Sequence, residues 1–260
     1  MKSAFLACAA SAAALALTAC GGNGNSSSGT SSGGAPINQA AADAANQAAA
    51  QVQPPANGDW TQVVVETPEG GYRMGKPDAP VKLLEYASIS CPHCAEFSEA
   101  GHQPLTRDYV KSGQVSWEFR PFMLFPTDPG LFTLLRCQGP QPFFALTAQI
   151  YENQAEWSAR LRALPQDRLQ ALSRMPAQQQ AGELVKAIEM DQFFRRNGMP
   201  QSRIDQCLSD PAALQRLAEI QRVGQADGIT GTPTFLINGV RAEAGTWSAL
   251  EPKIKEALGQ

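Results

Sequence analysis

The sequence predicts an α/β domain interrupted by a large helical block. Three observations carry this. A strand, a helix start and a second strand follow one another over residues 81–122. Residues from about 127 to 226 then show helical spacing broken by prolines. A strand, turn, strand and helix signature closes the chain.

VKLLEYASIS (81–90) is apolar apart from Lys82, Glu85 and small polar residues, and reads as a buried strand. Cys91-Pro92 opens a helix running to about Val110, since proline suits a first helical turn that needs no N–H. Pro104 inside that run predicts a kink or an early end. QVSWEFRPF (114–122) sets Val115, Trp117 and Phe119 on one face, as a strand does. Strand, helix and strand of this length form a βαβ unit. LFTLLRCQ, FFALTAQIYENQAEW, RLQALSRM, ELVKAIEMDQFFRRNGM, RIDQCLSD and ALQRLAEIQRVGQA then carry apolar residues near helical spacing. Pro140, Pro142, Pro165, Pro176, Pro200 and Pro211 punctuate them. In TFLINGVRAEA, Asn238-Gly239 is a strong turn signal between two strands. Thr246 is placed to cap a closing helix whose Trp247, Leu250, Ile254 and Leu258 share a face.

The N-terminal part reads differently. In residues 1–19, Lys2 and a short run of small apolar residues describe a secretory signal, too short to span a bilayer. LTAC, ending at Cys20, resembles a bacterial lipobox. That resemblance implies cleavage before Cys20, which becomes the lipidated N-terminus; the alternative is ordinary signal cleavage that leaves Cys20 a free thiol. Gly21 follows Cys20 where an aspartate would favour retention in the inner membrane. An outer-membrane anchor, facing the periplasm, is therefore preferred to an inner one. Residues 20–58 form a Gly/Ser and then Ala/Gln-rich tether with almost no charge and no aromatic side chain, so it cannot bury a core. As a flexible coil it reaches roughly 35 Å root-mean-square. Residues 59–260 are the folded part, one domain with its insertion at about 127–226. A net charge of −3 leaves no basic footprint for nucleic acid.

Six cysteines are present. Cys8 leaves with the signal and Cys20 is assigned to lipid, which leaves Cys91, Cys94, Cys137 and Cys207. An exported chain with an even count is expected to use them as disulfides or redox thiols. CPHC (91–94) can be a redox dithiol, half of a zinc site, or two thiols pairing elsewhere. Zinc needs about four ligands; there is no second CxxC, and His93 adjoins Cys94 too closely to share its metal. No metal or other cofactor is expected. The redox reading has a mechanism. Cys91 falls at a helix N-terminus, where unpaired N–H groups and the helix dipole favour an anion. His93 in the first turn can add charge or a hydrogen bond, and both lower a thiol pKa. A fall from ~8.5 to ~4 would make the couple on the order of 90 mV more oxidising at pH 7.

EYASISCPHC resembles the DsbA branch of the thioredoxin superfamily, and GITGTPTFLINGV (228–240) resembles the loop and hairpin that carry that superfamily's cis-proline. The resemblance covers residues 59–260 and implies a thioredoxin-like fold with a large helical insertion. It implies Cys91 as the attacking cysteine, Cys94 as the buried resolving one, and Pro92-His93 as the tuning dipeptide. It places Thr232 and a cis-Pro233 against the disulfide, and matches Glu85 to an acidic residue that assists proton transfer; a solvent-exposed strand-end glutamate is the alternative. His102 is expected to be a solvated helix residue.

The implied activity is donation of the Cys91–Cys94 disulfide to reduced or unfolded exported proteins, with a membrane redox partner recycling the dithiol. A monomer is expected, since no separate dimerisation domain is visible. Thr232 does not set the direction, because threonine precedes the proline in isomerases and reductases as well as oxidases. A tethered, non-catalytic binding or chaperone module is the reading of a different class. Cys137 and Cys207 are expected to form a structural disulfide; otherwise each is a small buried apolar residue.

Overall fold

The computed structural model describes residues 52–260, so the signal, Cys20 and nearly all of the tether lie outside the described residues. The chain forms β1 (Val64–Glu66), β2 (Tyr72–Met74), β3 (Val81–Ala87), α1 (Pro92–Pro104) and β4 (Val115–Pro121). Eight helices follow: α2 (Asp128–Cys137), α3 (Phe143–Glu152), α4 (Gln154–Arg162), α5 (Gln166–Ser173), α6 (Ala177–Ala187), α7 (Met190–Arg196), α8 (Gln201–Ser209) and α9 (Pro211–Ala226). β5 (Thr234–Ile237), β6 (Val240–Ala242) and α10 (Trp247–Ala257) complete the domain.

The six strands lie in the order β1-β2-β4-β3-β5-β6. β3 and β4 are parallel across the α1 crossover; the other pairs are antiparallel. Strands β1 and β2 are absent from the sequence expectation, because three residues between turn residues show no period. Pro104 ends the regular helix, and Leu105–Val110 continue as a π-helical turn. Removing an N–H from the ladder forces such an adjustment. Asn238 and Gly239 both take positive φ, 50° and 82°, as the β5–β6 turn requires.

Strand parity divides the core. Val81, Leu83, Glu85 and Ala87 share one face of β3, with Trp117 and Phe119 of β4 and Phe235 of β5 in register beside them. α1 covers this face through Phe97, whose ring lies 4.5 Å from Phe235. The helical block docks here too: Phe143 stacks on Tyr72 at 4.2 Å and Phe144 sits 4.8 Å from Trp117. On the other face Tyr86, Phe122 and Ile229 form a smaller cluster, where α9 closes in at Gly224. A Cβ on Gly130 would meet Ala181 O at 2.6 Å, so that glycine lets α2 rest directly on α6.

Candidate active site

Cys91 is the N-cap of α1, with extended backbone (φ −78°, ψ 122°), and Pro92 takes the first helical position. Both active-site thiols are free and buried, Cys91 at 5% exposure and Cys94 at 0%. The Cys91 thiol is pulled down to about 5. The Cys94 thiol donates to its sulfur, the Thr232 side chain adds to this, and the N–H groups of Cys94 and His93 follow; burial opposes them. The same pairing, with deep burial, pushes Cys94 far above the ordinary thiol range. At neutral pH one sulfur is therefore a thiolate and the other a thiol, an acceptor beside its donor.

His93 acts on Cys91 through its backbone. Its ring is exposed, and Nδ1 lies 3.0 Å from Glu96 Oε2, which raises the imidazole pKa. From the far end of the chain, Thr232-Pro233 is a cis peptide. The Thr232 carbonyl oxygen lies 3.3 Å from Cys91 Sγ and accepts from it only while Cys91 is protonated. Thr232 Oγ1 has no full hydrogen bond, yet lies near enough to the sulfurs to lower both thiols.

Glu85 is 1% exposed, between Phe119 and Phe235 on the neighbouring strands. It is not the solvent-exposed strand end that its charge alone suggested. Burial pushes its carboxyl up to about 8, against one hydrogen bond from Trp117 Nε1 at 2.9 Å. Its charge raises Cys94, so the two groups compete over one proton economy inside the fold. His102 is half-buried rather than fully solvated: its ring meets the edge of Trp117 at 5.2 Å, and burial lowers its pKa. It lines a cleft of about 600 Å³ that begins at Pro92 and passes Tyr151 and Gln154.

Three side chains of the helical block, unseen in the sequence, hold the segment ahead of Cys91. Asp128, 0% exposed, accepts from Ser88 Oγ at 2.8 Å and Ser90 N at 3.0 Å. Tyr151 Oη donates to Ser88 O at 3.0 Å, and Gln154 Nε2 donates to Ile89 O and Cys91 O at 2.9 and 3.0 Å. Cys137 and Cys207 are joined, with Cα atoms 6.2 Å apart, and bridge α2 to α8 away from this site. Among the described residues no cluster of side chains could hold a metal ion, and no helix is long and apolar enough to cross a membrane.

A family model described as Thioredoxin matches residues 67–256. The chain belongs to the thioredoxin family. Among solved structures, the protein-disulfide isomerase from Novosphingobium aromaticivorans is 27% identical with a TM-score of 0.69, covering 72% of this chain and 97% of that one. Wolbachia pipientis α-DsbA1 is similar in fold, at TM-score 0.59 and 19% identity over 75% of this chain and 94% of that one. The helical insertion within the thioredoxin-like sheet is thus of DsbA type. A Rickettsia prowazekii protein named as a candidate protein-disulfide oxidoreductase is 25% identical over 76% of this chain. This chain spans 65% of that relative's length.

Proposed function

We propose that the protein is a thiol:disulfide oxidoreductase that donates the Cys91–Cys94 disulfide to reduced or unfolded exported proteins. The observation that carries this is the asymmetric pair: a Cys91 thiolate held near pH 5 at a helix start, a proton kept on Cys94, and a cis-proline loop beside both. A substrate thiolate attacks Cys91 Sγ of the disulfide, forming a mixed disulfide and displacing Cys94, which takes up a proton as it leaves, with the protonated Glu85 carboxyl as the candidate donor. A second substrate thiolate then attacks its own half of that bond. The substrate disulfide closes and Cys91 leaves as a stabilised thiolate. The dithiol is returned to the disulfide by a membrane redox partner.

Leu124 and Phe125 support an unfolded substrate. They are 45% and 41% exposed, and their N–H groups bind the same Asp128 carboxylate that holds Ser90. Cys20 lipidation at the periplasmic face of the membrane, outer rather than inner, completes the proposal. The deciding experiment equilibrates the protein with glutathione redox buffers. A potential near about −120 mV supports a donor, and one near about −270 mV a reductase. An isomerase is the second reading, favoured by the Novosphingobium isomerase likeness. It predicts an intermediate potential near about −180 mV and reshuffling of scrambled substrates. A Cys94→Ala variant that traps no mixed disulfide with reduced, unfolded protein would leave only the non-catalytic binding module.

A further inference from the structure

The segment Ser88–Ser90 leads from β3 into the attacking cysteine, and its side-chain contacts come from across the fold. Asp128 makes two of them, beside Thr127, Tyr151 and Gln154. One carboxylate oxygen accepts from Ser90 N at 3.0 Å, the other from Ser88 Oγ at 2.8 Å. The second oxygen also takes Leu124 N at 2.8 Å and Phe125 N at 2.9 Å. Ser90 Oγ lies 2.7 Å from Thr127 Oγ1, the residue before Asp128. Among the described residues no cation pairs with Asp128. A buried carboxylate without a countercharge is costly unless donors surround it. Here four donors from the β3–α1 and β4–α2 loops converge on it at the start of α2, which makes it a fixed node.

We propose that Asp128 is a positioning residue for Cys91: by binding Ser88 and Ser90 it holds the attacking sulfur against the N–H groups that stabilise its thiolate. This rests on Cys91 being the attacking thiol. The physical link is short. Cys91 lies outside the regular helix, and its own N–H bonds Ser88 O at 3.2 Å. Its distance to the His93 and Cys94 amides is therefore set by the loop behind it as well as by α1. A loose loop spreads the sulfur over more positions and weakens bonds that depend steeply on distance and angle.

The sign of the effect separates position from charge. An ionised Asp128 acting through its field disfavours a nearby thiolate, so neutralising it would lower the Cys91 pKa. Acting through position, its loss raises that pKa. Asp128→Asn keeps the shape but puts an NH2 group where an acceptor stood. The expected result, read by thiolate absorbance of the reduced protein, is a rise of about one unit in the Cys91 pKa. At pH 7 that is about tenfold less favourable disulfide donation to glutathione, or about 30 mV. A lowered Cys91 pKa, or an unchanged one with a lower melting temperature, overturns the proposal. Ser88→Ala carries the same test if Asp128→Asn does not fold. It leaves the charge in place, removes one bond, and should raise the pKa by a smaller amount; no rise is again a refutation. Both outcomes are distinct from failure of the functional reading, which would show as an ordinary thiol pKa in the unaltered protein.

Discussion

Cys91 and Glu85 pull the pH dependence of stability in opposite directions. The Cys91 thiol sits at about 5 in the folded, reduced protein against an ordinary 9.0. Between those values the folded chain binds fewer protons than the unfolded one, so this contribution grows with pH and is lost as pH falls through 5. By pH 7 it spans two units, under ~3 kcal/mol, and less to the extent that solvent reaches the sulfur. Glu85 sits at about 8 against 4.5, so the folded chain binds more protons and its contribution is lost as pH rises toward 8. Two expectations follow for denaturant unfolding of the reduced protein at pH 5 and pH 7. Cys91→Ser should match the parent more closely at pH 5 than at pH 7. Glu85→Gln should gain at pH 7 relative to pH 5 by on the order of 2–3 kcal/mol, because a neutral amide escapes the cost of ionising in the core. Its exchange rate should fall despite the added stability, since the departing Cys94 loses its proton donor. The same two units make the active-site couple no more than about 60 mV more oxidising than an unperturbed pair. That is below the figure expected from sequence because the thiol settles nearer 5 than 4.

At the scale of elements, the two disulfides differ in where helices place their sulfurs. Cys91 caps the start of α1, whereas Cys137 ends α2 and Cys207 lies in the last turn of α8. A thiolate is favoured at a helix N-terminus and disfavoured at a C-terminus. Mild reductant should therefore open Cys91–Cys94 and spare Cys137–Cys207, although Cys137 and Cys207 line a cleft of about 560 Å³. Counting alkylated cysteines by mass across a reductant series checks the order. The bridge closes a loop of 70 residues, worth about 4 kcal/mol in the chain-entropy model. Cys137→Ser should lower the melting temperature by roughly 10 °C, and an unchanged value would remove its stabilising role. The elements also show what sequence can carry. β3, β4 and the Asn238-Gly239 hairpin announce themselves by period and turn chemistry, and CPHC with TPTF marks the redox pair. Asp128, Tyr151 and Gln154 do not. Asp128 in TDPG reads as an ordinary helix start, and the other two are single polar residues in amphipathic helices. Their role exists only once the insertion folds back on the β3–α1 loop. Alternation could have flagged Glu85, which shares a face with Val81, Leu83 and Ala87.

Across the whole molecule, the active site and the proposed attachment fall on separate stretches. The site joins β3–α1, the loop before β5 and three helices of the insertion, all between residues 85 and 233. Cys20 precedes this domain by a tether of Gly, Ser, Ala and Gln that contains no aromatic residue before Trp60. A donor working on exported chains benefits from such a division. On the proposed reading, a lipid on Cys20 would confine it to the membrane surface, and the Gly/Ser and Ala/Gln-rich sequence after it would leave the Cys91 face free to turn toward substrates and toward a recycling partner. If lipid on Cys20 is the attachment, Cys20→Ala should move the protein from the membrane fraction to the soluble periplasmic fraction. The Cys91 pKa and the glutathione equilibrium should stay unchanged, because every group that tunes them lies within the folded domain. Fractionation with intact-mass analysis of the mature chain checks both parts. The parent should begin at Cys20 with acyl groups attached, and the variant should lack them. A variant that remains membrane-bound would show that something other than the lipobox cysteine holds the chain there.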